Sequence, residues 1–117
     1  MAHGVAQRDP ILRQFVAALA PIRESIEEMR LFGSRARGEA RPDSDYDVLI
    51  VLARRTPEAV SACYDAVMAV LLATGRLVSL KIFPRDEFDR LRAIPTPFMR
   101  AIQQEGIPLG FDDQSSD

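Results

Sequence analysis

Asp45 and Asp47 stand two residues apart at the head of the apolar run "YDVLIVL". On a strand, that spacing sends both side chains out of one face, roughly 6–7 Å apart by strand rise. Close carboxylates repel and Asp is disfavoured in strands, so something must compensate the charge. A divalent cation would do so. Two hard oxygen ligands with open positions suit Mg2+ or Mn2+, which keeps part of its water and completes its shell from the phosphates of a nucleotide. Upstream, Gly33-Ser34 follows the short apolar "LF". Gly allows the backbone to approach a ligand closely, and Ser offers a hydroxyl and an N–H. A short helix starting there would direct its free N–H groups at an anion, and Arg35 or Arg37 would pair with phosphate oxygens. Each half alone is commonplace, a turn or a solvated strand edge. Together, within residues 31–52, they point to metal-assisted phosphate chemistry.

Those residues need elements to hold them. Asp9-Pro10, Thr56-Pro57 and Thr96-Pro97 each put a capping oxygen before a proline suited to the first helical position. From Pro10, Ile11, Phe15, Val16 and Leu19 recur at helical spacing, and Pro21 ends or kinks that helix before "IRESIEE" adds a turn or two. From Pro57, Val60, Tyr64, Val67 and Leu71 predict a buried stripe running to a stop at Gly75. The third helix carries Phe98 and Ile102 to Gly106, with "RDEFDRL" as a short helix before it. Phe98, Met99 and Ile102 either cover the core or form a partner surface. Three strands are expected, "EMRLF" at 28–32, "YDVLIVL" at 46–52 and "LVSLKIF" at 77–83. The central one is nearly unbroken apolar, as when both sheet faces are covered. Val48, Ile50 and Leu52 would face a core opposite Asp47, and Tyr46 would pack on that side too. Alternating helices and strands predict an α/β or α+β architecture, a small mixed sheet flanked by helices.

Composition narrows the function classes. At 117 residues and 13.0 kDa, one domain is expected over residues 1–110, with "FDDQSSD" at 111–117 as a disordered tail. An apolar fraction of 47% and a charged fraction of 27% are ordinary for a globular chain. A net charge of -2 and a pI near 5.4 argue against general nucleic-acid binding. All but one of the fifteen basic residues are Arg, which reflects either genome composition or anion recognition. The single Cys63 closes no internal disulfide, and no Cys/His zinc spacing is present. His3 is expected in a frayed terminus, leaving no histidine for acid-base work. No leader and no apolar run of ~20 residues is evident, so a cytoplasmic protein without a membrane role is expected.

The stretch "GSRARGEARPDSDYDVLIV" resembles the motif of the minimal nucleotidyltransferases in the DNA polymerase β superfamily: Gly-Ser-x-Ala-Arg-Gly, five residues, then Ser-Asp-x-Asp and an apolar strand. Gly33, Ser34, Ala36, Arg37, Gly38, Ser44, Asp45 and Asp47 fall in place. The match is tight over residues 33–51, and "PFMRAIQQEGIPL" is similar to the endings of other single-domain members. The resemblance implies the polymerase β-like nucleotidyltransferase fold and Mg2+-dependent binding of ATP or another nucleoside triphosphate. It implies transfer of a nucleoside monophosphate, AMP first, to an acceptor hydroxyl. Asp45 and Asp47 would be the catalytic acids and metal ligands, with Gly33, Ser34, Arg37 and Ser44 binding the nucleotide. Small members resemble antitoxins paired with a HEPN-type ribonuclease toxin, so a partner protein is one candidate acceptor, and a homo-oligomer is also open.

One feature departs from the pattern. Active members carry a third carboxylate on a later strand, here "LVSLKIF", where alternation would point Ser79 and Lys81 at the acidic site. Three readings follow: slow catalysis with two Asp, a substitute such as Asp86 or Glu87 from beyond the strand, or a binding module that neutralises a toxin by contact. Lys81 would pair with Asp45 or Asp47, contact triphosphate, or simply be solvated.

Overall fold

The computed structural model describes residues 8–111; His3 and residues 112–117 lie outside them. Helix α1 (Pro10–Ala18) begins where Asp9 accepts the N–H of Ile11 at 2.8 Å and of Leu12 at 3.3 Å. Pro21 lies in the 3-10 turn Ala20–Ser25 that follows, so the helix ends as its proline requires. Strand β1 (Ile26–Phe32) leads into a one-turn helix α2 (Ser34–Arg37), then β2 (Tyr46–Leu52). Thr56 caps α3 (Pro57–Thr74) through the Ala59 N–H, and Gly75, at φ 77°, closes it. Strand β3 (Val78–Pro84), α4 (Arg85–Arg92), α5 (Pro97–Glu105, capped by Thr96) and the two-residue β4 (Ile107–Pro108) follow within the described residues.

The sheet order is β3-β2-β1-β4. β2 pairs antiparallel with β1 and parallel with β3, so the sheet is mixed, and α3 is the crossover that a parallel pair requires. Alternation along β2 divides the interior. Val48, Ile50 and Leu52 join Met29, Leu31 and Val78 in a core beneath α1 and α3. Leu49 and Val51 face the other way, into a smaller core made with Phe88 of α4 and Met99 and Ile102 of α5. Two covered faces explain why β2 tolerates no polar residue after Asp47.

Two expectations about elements need correction. The buried face of α3 is Ala59, Cys63, Ala66, Val67 and Val70, whereas Tyr64 is half exposed. Small side chains let the helix lie close to the sheet and α1, which turns the bulkier Tyr64, Met68 and Leu72 outwards. Burial pushes the Cys63 thiol up to about 11, so it serves as a packing residue. By length and composition alone α3 is apolar enough to cross a membrane, but its inner face is core. The strand β4, pairing with Arg30 and Leu31, was not expected, because two residues show no alternation. Phe111 packs against the larger core with the Arg23 guanidinium 4.9 Å from its ring centroid, so the first residue of the expected tail is ordered. Met99 and Ile102 are buried in the smaller core, and Phe98 packs against it.

Candidate active site

The site lies where β1 ends and β2 begins. Phe32 is the register partner of Asp47, so Gly33-Ser34 follows one step beyond Asp47 and Asp45 immediately precedes the strand. Gly33 sits at φ 75°, ψ -158°, a region open essentially to glycine. A Cβ there would overlap Asp47 Oδ2 and meet its Cγ at 3.1 Å. The Gly33 backbone and the Asp47 carboxylate are therefore in direct contact. The Gly33 carbonyl accepts the N–H groups of Ala36 at 3.1 Å and Arg37 at 3.2 Å. Among the described residues the N–H groups of Ser34 and Arg35 have no acceptor.

The loop that delivers Asp45 is held by Arg35. Its guanidinium donates to the carbonyls of Ser44 (2.8 Å), Pro42 (3.1 Å) and Arg41 (3.3 Å), and lies 3.9 Å from the Tyr46 ring centroid. Arg35 thus belongs to the scaffold of the loop. Ser44 accepts the Arg41 N–H on its hydroxyl at 2.9 Å, closing a turn. Tyr46 is buried and donates to the capping Asp9 at 2.9 Å. Burial and that bond push its phenol up to about 12. Arg37 is exposed and paired with Glu39 at 2.8 Å and Glu105 at 3.3 Å, which raises its pKa. Sequence reasoning missed this tie to the end of α5, and nothing in the local pattern signals it.

Asp47 is half-buried beside the aromatic cluster of the smaller core, where Phe32 meets Phe98 edge to face at 5.6 Å. Burial raises its carboxyl above the ordinary range and the Asp45 charge raises it further; Lys81 and Arg37 pull it down. On β3, Ser79 is the register partner of Asp47 and Lys81 that of Leu49. Val78, Leu80 and Ile82 pack into the larger core, so Ser79 and Lys81 share the face of Asp47. Lys81 is exposed and makes no ion pair among the described residues. Asp86 and Glu87 open α4, after the far end of β3, where Pro84 pairs with Leu52. The sequence alternative that brought them to the acids does not hold, because β3 is parallel to β2 and carries the chain away. No cluster of three or more His, Cys, Asp or Glu able to hold a metal occurs among the described residues. Two hard carboxylates in mutual repulsion nevertheless fit a divalent cation that takes its other ligands from water and phosphate. A crevice of about 240 Å³, lined by Asp9, Leu12, Arg35, Gly38 and Tyr46, does not include the two acids.

A glycine turn pressed on an acidic strand of a small mixed sheet is the arrangement that the resemblance of residues 33–51 leads us to expect. Residues 11–104 match the family described as nucleotidyltransferase domain, and the chain belongs to it. No curated protein matches it. Among solved structures, a candidate nucleotidyltransferase from Sulfolobus solfataricus superimposes with a TM-score of 0.51 at 19% identity, over 97% of this chain and 86% of that one. A chain of a toxin-antitoxin crystallised with AMP-PNP gives 0.52 at 16% identity, over 89% and 77%. At such identities the likeness is one of fold.

Proposed function

We propose that the chain moves a nucleoside monophosphate, AMP from ATP, to a hydroxyl of an acceptor protein. The single observation that carries this reading is the contact between the Gly33 turn and Asp47, which sets anion-binding backbone beside an acid pair. Asp45 and Asp47 would hold Mg2+, or Mn2+, with Gly33 and Ser34 on the terminal phosphates and Ser44 ordering the loop between. When bound, the divalent ion supplies charge neutralisation on the triphosphate and on the attacking and leaving oxygens. The chain supplies alignment: the Gly33 turn fixes where phosphate can approach, and the Arg35 clamp fixes Asp45. The acceptor oxygen bonds to the α-phosphorus, the bond to the β-phosphate oxygen breaks, and pyrophosphate leaves. The acceptor proton passes to water, to which exposed Asp45 leaves the site open. Arg37 can exchange its exposed carboxylate partners for phosphate.

For the acceptor we infer a HEPN-type toxin in the cytoplasm. Its support is the fold shared with a toxin-antitoxin protein crystallised with AMP-PNP. A second reading, contact-only neutralisation, is favoured by Ser79 standing opposite Asp47 where a third acid would complete the set. Incubation with Mg2+, ATP and the product of the adjacent small gene tests both. Transfer predicts an AMP-sized mass increase on the partner that is lost in Asp45→Asn and Asp47→Asn, by at least 100-fold for either. Complex formation without any mass change, surviving both substitutions, supports the contact-only reading instead.

A further inference from the structure

We propose that Lys81 is a nucleotide-binding residue that meets the triphosphate of the bound substrate, its ammonium standing on the face where the third carboxylate is missing. The inference rests on the transferase reading above. It has four supports in the fold. First, β3 runs parallel to β2 with Ser79 beside Asp47 and Lys81 two residues on, so one two-residue step separates Lys81 from the position beside Asp47. That step is roughly 6.6 Å along the strand, within the span of a lysine stem. Second, the side-chain alternation is settled by packing: Val78, Leu80 and Ile82 occupy the larger core, which leaves Ser79 and Lys81 on the acid face. Third, the ammonium is exposed and unpaired among the described residues. It does not plug the place of a cation.

The fourth support is the commitment of the neighbouring cations. Arg35 is spent on three loop carbonyls and the Tyr46 ring. Arg37 is shared between Glu39 and Glu105 and reaches phosphate only by giving up those carboxylates. A triphosphate carries more negative charge than one divalent ion balances, and a compact ammonium with three rotatable donors can follow it without a preset geometry. Two carboxylates, one divalent ion, Lys81 and an Arg37 that exchanges partners would then make up the electrostatics of the site. A nucleotide bound this way depends on Lys81 even where no transfer takes place.

Lys81 is the only lysine in the sequence, which makes it its own reporter. Reductive 13C-methylation of the full chain keeps its charge and yields one lysine signal besides that of the terminal amine. Addition of Mg2+ with a non-hydrolysable ATP analogue should shift that signal saturably, whereas Mg2+ alone should leave it nearly in place. By calorimetry, Lys81→Ala should weaken analogue binding about 10- to 100-fold, the effect of losing a charge-assisted hydrogen bond. Lys81→Arg should recover most of it, and both variants should melt with the parent. If the parent binds the analogue while the lysine signal stays put and Lys81→Ala binds within twofold, the Lys81 assignment falls and the transferase reading stands. If the parent binds no analogue at all, both fall together.

Discussion

Asp47 is placed where its own charge is unwelcome: half-buried, beside Phe32 on β1, and next to a second acid. Its raised pKa has a consequence of definite sign. Between the ordinary value of 3.8 and the raised one, the folded state holds more proton than the unfolded state, so stability falls as pH rises through that window. Above the window the deficit is constant. Asp47→Asn should therefore raise the melting temperature of the metal-free protein at pH 7 while abolishing transfer, and the difference should shrink below pH 4. Scanning calorimetry at several pH values checks this, and Mg2+ should stabilise the parent but not the variant. Gly33 gives the opposite case. Ala at φ 75° is strained and its Cβ displaces the Asp47 carboxylate, so Gly33→Ala should cost about 1–3 kcal/mol. It should also lower activity by about 100-fold or more, as a shift of about 1 Å at reacting groups can. Denaturant melts and initial rates separate the two effects. The residue types of this pair were legible in the sequence because phosphate and metal chemistry needs few side chains. The contact between them was not, because it depends on the antiparallel register of Phe32 and Asp47.

At the scale of elements, the Arg35 side chain gathers the end of the loop 39–45. Arg35→Met removes four hydrogen bonds to three carbonyls and the stacking on Tyr46 while keeping much of the stem. It should cost about 1–3 kcal/mol and speed amide exchange across residues 41–46 more than in β2, as read by hydrogen exchange with mass spectrometry. Caps were well predicted at this scale: Asp9, Thr56 and Thr96 all act as expected, since a capping oxygen and a proline at N1 work locally. The face of α3 was not. Large apolar side chains drew the stripe through Tyr64, but which side of a helix is buried depends on how closely it must approach its neighbours. Ala59, Cys63 and Ala66 allow the closer approach.

For the whole molecule, the sheet separates two cores of unequal size, and the smaller one abuts the acids. Phe88 is its largest fully buried side chain. Phe88→Ala should cost about 3–5 kcal/mol, a large share of the ~5–15 kcal/mol typical of a domain, and should loosen the floor near Asp47. Leu72→Ala on α3, at 80% exposure, should change stability by less than about 0.5 kcal/mol. Urea unfolding of the two variants side by side checks the contrast.

From its sequence alone, this chain declares a nucleotidyltransferase motif, three capped helices, three strands and an α/β order, because motif chemistry, caps and periodicity are local properties of the chain. Only the tertiary structure decided that β3 lies parallel to β2, which sets Ser79 beside Asp47 and Lys81 one step along the same face. The same structure removed Asp86 and Glu87 from the site, turned Tyr64 outwards and committed Arg35 to the loop. Each of these depends on which segments meet across the sheet, and strand pairing and helix approach are settled by burial on both faces at once.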